Sequence, residues 1–176
     1  MRRTALVALP WLLAACDVPS AEPMLSVPSS LVEPEQWQDS PSRDAFADLR
    51  PADVECDPVR GLYLQRSPWG DRFEINTAWC NYATVEQPLL EPLAAGDTVE
   101  VRVWHFDLTG APAEAYVGVA VAGEIEWERI IPIPSEGGLI AETFEVSEAV
   151  EAGTPIQFHV HNHGNNTWEL VSIEQL

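Results

Sequence analysis

Residues 97–106 read DTVEVRVWHF. In an extended chain successive side chains point to opposite faces, so Val99, Val101 and Val103 share one side and Glu100, Arg102 and Trp104 the other. That alternation of apolar and polar residues has the period of a half-buried strand. Seven further runs have the same texture, and Gly, Pro or Asn interrupts the chain between them. They are GLYLQRS (61–67), DRFEINTA (71–78), EAYVGVAVA (114–122), EIEWERII (124–131), LIAETFEV (139–146), PIQFHVHNH (155–163) and TWELVSIEQ (167–175). No long helical period competes with them. About eight short strands spread over residues 53–176 point to an all-β fold, a single antiparallel β-sandwich of jelly-roll type.

The same alternation assigns faces. In residues 114–122, Ala115, Val117, Val119 and Val121 form an apolar side, and Tyr116, Gly118 and Ala120 form the other. One bulky residue beside two small ones suits the floor of a shallow groove or a sheet face covered by a loop. In residues 155–163, Ile156, Phe158 and Val160 face the core, so His159, His161 and His163 share the outward face. His105 follows Val99, Val101 and Val103 on a core-facing side and is expected to point away from that triple.

Three readings of the histidine strand stay open. Zinc, copper and nickel accept imidazole nitrogen, and His159, His161 and His163 form a candidate metal set. Residues two apart on a strand lie about 6.6 Å apart, so the outer pair needs a bulge to converge on one ion. Alternatively, Trp104, Tyr116, His159 and His161 are candidate ligand contacts, since sugars stack on aromatic faces and bond to imidazoles. The third reading is an ordinary sheet edge closed by the NHGNNTW turn, where Gly164, Asn165 and Asn166 supply turn chemistry. Asp57, Asp71 and Asp97 lie near turns and are candidates for a structural calcium ion. No nucleophile elbow, zinc-protease helix, phosphate loop or dinucleotide fingerprint occurs, and a non-catalytic module is expected.

The chain carries 28 acidic and nine basic residues, for a formal net charge of −19, and every basic residue is arginine. Such a surface repels nucleic acid and anionic head groups, leaving neutral ligands, metal cations and basic partners. Cys56 and Cys80 form an even pair in an exported chain and are expected to be disulfide-bonded.

Export is read from the first residues. Arg2 and Arg3 precede an apolar run, Ala5 to Leu13, that is too short to span a bilayer and ends in Leu13-Ala14-Ala15-Cys16. This tetrapeptide is similar to the lipobox of bacterial lipoproteins. The resemblance implies a signal peptide over residues 1–15, removed on export, and a lipidated Cys16 carrying diacylglycerol and palmitate. Acyl chains contribute about 0.8 kcal/mol per buried methylene, so several of them anchor a protein stably to the bacterial cell envelope. Asp17 resembles the signal that retains such proteins in the inner membrane of enteric bacteria. Loss of Arg2 and Arg3 leaves seven basic against 28 acidic residues, a mature charge of −21. Residues 16–52, with prolines at 19, 23, 28, 34, 41 and 51, are expected to form a disordered tether between anchor and domain.

The closing pair of strands, from Ala152 to Gln175, resembles the last hairpin of galactose-binding-like and carbohydrate-binding-module jelly rolls. That resemblance implies ligands on an outer sheet face or at loop tips, with carbohydrate as the leading ligand class. A metal-binding protein and a structural envelope partner are the other expectations.

Overall fold

The computed structural model describes residues 27–39, 43–110, 114–162 and 164–176. Among these lie eleven strands: β1 (Ser29–Ser30), β2 (Gln38–Asp39), β3 (Leu62–Gln65), β4 (Arg72–Asn76), β5 (Tyr82–Pro88), β6 (Thr98–His105), β7 (Glu114–Val121), β8 (Glu124–Pro132), β9 (Gly138–Glu145), β10 (Pro155–His161) and β11 (Thr167–Gln175). One helical turn, α1 (Pro58–Gly61), is capped by Asp57, whose side chain accepts a hydrogen bond from the Val59 N–H.

The strands form two antiparallel sheets. One has the order β3-β4-β11-β6-β9, with β1 paired to β11; the other has the order β2-β5-β10-β7-β8. The all-β sandwich expected from the alternation is what the chain adopts. Val99, Val101, Val103, Val117, Val119, Ile156, Phe158, Val160, Trp168 and Ile173 meet between the sheets, each fully buried. Burying such side chains is worth roughly 1.5–3 kcal/mol apiece before chain entropy is counted. β3 and β4 pair within one sheet and β7 and β8 within the other, whereas β10 and β11, also adjacent in sequence, lie in different sheets.

β5 is the strand that alternation did not show. Tyr82, Ala83, Thr84 and Val85 are all buried, so this central strand has no polar face to alternate with. The disulfide forms as expected between Cys56 and Cys80, tying the segment ahead of α1 to the loop before β5.

The tether expectation for residues 16–52 is corrected over its described part. Ser29 and Ser30 pair with Gln175 and Glu174, and Gln38 and Asp39 pair with Glu86 and Val85. Leu31, Val32, Trp37 and Phe46 are buried against the sandwich. Pro34 opens a helical turn between Val32 and Trp37 rather than preventing either from docking. Two aromatic and two aliphatic side chains in an otherwise polar segment supply enough apolar area to dock it. Cys16 and the expected signal peptide lie outside the described residues.

Candidate functional site

The outward face of β10 carries His159 and His161, as parity requires, but His159 is fully buried. Residues 43–50 lie across it. Phe46 stacks on the His159 imidazole with ring centroids 4.4 Å apart and planes at 13°. Tyr82 and Tyr116 approach the same imidazole edge-on, at 4.6 and 5.8 Å. Gly118 leaves room for the phenyl ring, since a Cβ there would stand 2.7 Å from Phe46 Cε1. Of the two readings of the Tyr116–Gly118–Ala120 side, the covered sheet face is the one realised: Phe46, Tyr116 and Ala120 form a buried cluster of their own.

Hydrogen bonds set the tautomers under this cover. Thr84 Oγ1 lies 2.8 Å from both Asp44 Oδ1 and His159 Nδ1. A carboxylate only accepts, so the Thr84 hydroxyl donates to Asp44 and receives the proton of His159 Nδ1. His159 Nε2 is then an acceptor and takes the proton of His161 Nδ1, 3.0 Å away. Burial, and after it the charge of His161, hold His159 well below its ordinary pKa, with the Ala83 backbone pulling the other way. Burial first, and then hydrogen bonds to Asp44 and Glu128, raise the hydroxyls of Tyr82 and Tyr116 far above the tyrosine norm.

These contacts bear on the metal set. Both ring nitrogens of His159 are engaged, and among the described residues no group of three or more His, Cys, Asp or Glu is placed to hold a metal ion. His163, the third member expected for that set, lies outside the described residues. His105 points into the sandwich on the other sheet, where it packs on Trp168 at 4.9 Å. The aspartates considered for calcium serve local structure. Asp57 caps α1, Asp71 accepts from the Ser67 N–H and pairs with Arg66, and Asp97 binds the Ala94 N–H and the Gln175 amide.

Trp104 does not join the histidines. It is on β6 in the other sheet, so the expected set of Trp104, Tyr116, His159 and His161 divides between opposite faces of the sandwich. Its own surroundings form a second constellation. Register places Tyr63 opposite Glu74, Glu74 opposite Glu169, Glu169 opposite Trp104 and Trp104 opposite Leu139. Direct partners in antiparallel strands share a face, so these five residues form one row across β3, β4, β11, β6 and β9 on the outer surface.

Tyr63, Trp104 and Leu139 are 36%, 37% and 50% exposed, so this row is open where the histidine face is covered. Tyr63 donates a short hydrogen bond to Glu74 Oε1, and Arg72 Nη1 lies 2.7 Å from Glu169 Oε2. Burial, with the Glu169 charge adding to it, raises Glu74 above the usual carboxylate range; the Tyr63 hydrogen bond opposes this. Tyr63 itself is pushed up to about 12, by burial first and by Glu74 second. Trp79 lies half-exposed under the Arg60 guanidinium, whose central carbon is 4.0 Å from the ring centroid.

Neither a scan against protein-family models nor a search of curated proteins returns a match. Solved structures are similar at low identity. The enzymatically active domain of bacteriophage CBA120 tailspike protein 4 is 12% identical with a TM-score of 0.44 and covers 78% of this chain. The Agl-KA catalytic domain is 12% identical with a TM-score of 0.46 and covers 88%. This chain spans 21% and 30% of those two proteins. The N-terminal cellulose-binding domain of Cellulomonas fimi β-1,4-glucanase C is 14% identical, with a TM-score of 0.43 over 69% of this chain and 92% of that one.

Proposed function

We propose that this chain is a lipid-anchored envelope protein whose β-sandwich is a non-catalytic glycan-binding module, and that glycan is bound on the outer face of the sheet holding β6 and β11. The row Tyr63–Glu74–Glu169–Trp104–Leu139 carries the reading. Two partly exposed aromatic rings stand three strands apart, about 14 Å at ordinary strand spacing, with the half-buried Glu169 carboxylate and the buried Glu74 between them. Aromatic faces take the apolar side of a sugar ring, and carboxylate oxygens accept from its hydroxyls. The acidic surface favours neutral or basic glycans over sulfated or uronic ones.

Isothermal titration of the protein against a panel of neutral, basic and anionic oligosaccharides tests this, alongside Trp104→Ala and Tyr63→Ala. Binding of a neutral or basic glycan, weakened at least tenfold by either substitution, is the expected result. No binding across the panel, or binding indifferent to both residues, overturns it. The same solutions are assayed for reducing ends. Glu74, raised in pKa mainly by burial, is the direct cross-strand partner of Glu169, and two neighbouring carboxylates are also what acid–base chemistry on a glycosidic bond uses. Released ends that disappear in Glu74→Gln would overturn the non-catalytic part alone.

A further inference from the structure

Residues 43–50 are bound to the sandwich in the manner of a ligand. They contribute no strand to the sheet they cover. Side-chain hydrogen bonds hold them instead: the Ala45 N–H to Gln157 Oε1 at 3.0 Å, and Gln157 Nε2 to the Arg43 carbonyl at 2.6 Å. The Tyr82 hydroxyl lies 2.5 Å from Asp44 Oδ2 and 2.9 Å from the Phe46 carbonyl, and Thr84 donates to Asp44 Oδ1. The Phe46 ring fills the slot formed by His159, Tyr116 and Gly118. Its apolar cluster is separate from the main core between the sheets. Local opening of residues 43–50 therefore removes one small cluster and a set of bonds that water can replace, while the sandwich stays closed.

What opening uncovers is a surface already organised for a peptide. A slot for one aromatic ring adjoins two hydroxyls, from Tyr82 and Thr84, placed for a carboxylate two residues earlier. An amide, from Gln157, is placed for the backbone between them. In the closed state a groove of about 420 Å³ separates Leu49 and Pro51 from Tyr116, Ile130 and His161, and opening leaves the sheet-side wall, with Ile130 55% exposed, in place. That groove would receive apolar side chains following the ring.

We propose that the outer face of the sheet holding β5, β10 and β7 is a peptide-binding face, occupied in this state by the chain's own residues 43–50, which exchange with a partner segment of the same chemistry. The partner's signature is a carboxylate, one small residue, an aromatic ring and an apolar residue three positions on, as in Asp44, Ala45, Phe46 and Leu49. This face is distinct from the Tyr63–Trp104 row and does not depend on its role.

Two measurements on the full chain test the proposal. In native-state hydrogen exchange, the Ala45 and Phe46 amides are expected to be at least 100-fold less protected than those of Val85 and Phe158, because they open locally. Equal protection means that residues 43–50 leave only on global unfolding, and overturns the idea. In the second, a labelled synthetic peptide RDAFADLR is titrated onto the native chain and onto Asp44→Ala/Phe46→Ala. The peptide is expected to bind the double variant at least tenfold more tightly than the native chain, and a peptide with the phenylalanine replaced by alanine is expected not to bind. Equal binding to both chains, or none to a folded variant, overturns it; if the variant does not fold, the exchange result on the native chain decides.

Discussion

Phe46 and Gly118 are complementary across the outer face of one sheet: the ring of the first occupies the space that a side chain on the second would take, with 2.7 Å between the notional Cβ and Phe46 Cε1. The ring is fully buried and stacked on His159, so it has no room to retreat outward without losing that contact. Gly118→Ala is therefore expected to destabilise the protein by about 1–3 kcal/mol, the usual range for overpacking. Phe46→Ala is expected to cost about 3 kcal/mol, the lower part of the range for a buried phenylalanine, because its cluster is small. In the double variant the alanine at 118 meets no ring. The two costs should then fall short of additivity by at least 1 kcal/mol in a denaturant-unfolding cycle. Additive costs would mean that the ring and the glycine are not in contact.

His159 gives the stability a pH dependence of known sign. Its folded pKa lies well below the ordinary 6.5, mainly through burial. Between those two values the unfolded chain binds a proton that the folded ring refuses, so acid favours unfolding. The stabilisation is complete above about pH 6.5 and is lost as pH falls towards the folded value, at no more than about 1.4 kcal/mol per unit. Urea midpoints measured from pH 7.5 to 5 should fall along that slope, and His159→Gln should flatten it. Glu74 acts in the opposite sense at lower pH. Its raised folded pKa stabilises the protein below about 4.5, and this contribution is lost as pH rises.

The core of the sandwich was legible where a strand has one wet face. Val99, Val101, Val103, Ile156, Phe158 and Val160 are buried as their spacing requires. Alternation is silent where both faces are covered, which is why β5 went unread and why the outward parity of His159 did not mean exposure. The docked residues 29–39 and 43–50 were hidden by prolines, although Trp37 and Phe46 were the signal: large apolar side chains are out of place in a solvated tether. The row through Glu74, Glu169 and Trp104 depends on register between strands far apart in sequence, and periodicity within one strand carries no information about which strands are neighbours.

Glu74 and Glu169 are direct cross-strand partners, and only Glu169 has an arginine against it. Like charges placed opposite one another on a sheet destabilise it, here beside a tyrosine that donates to Glu74. Glutamine at position 74 keeps an oxygen to accept the Tyr63 proton while removing the charge. Glu74→Gln is accordingly expected to raise stability at pH 7 by a few tenths to about 1 kcal/mol. Glu169→Gln, which strands Arg72, is expected to give less or to destabilise. A loss on Glu74→Gln as large as that on Glu169→Gln would show that the carboxylate at 74 is held by a favourable field.

In the proposed reading the membrane anchor is the lipidated Cys16. No helix among the described residues is long and apolar enough to cross a membrane, and a net charge of −19 repels anionic lipid head groups. If Leu13-Ala14-Ala15-Cys16 directs lipidation, replacing the one thiol removes every acyl chain together, since each is attached at that residue. Cys16→Ser, expressed in a bacterium, is expected to lose incorporation of labelled palmitate and to move the protein from the membrane pellet to the supernatant. The Cys56–Cys80 disulfide should still form, because its partners lie within the folded domain. Retention of the variant in the pellet, at high salt and without palmitate label, would assign membrane binding to another part of the chain and remove the lipoprotein reading.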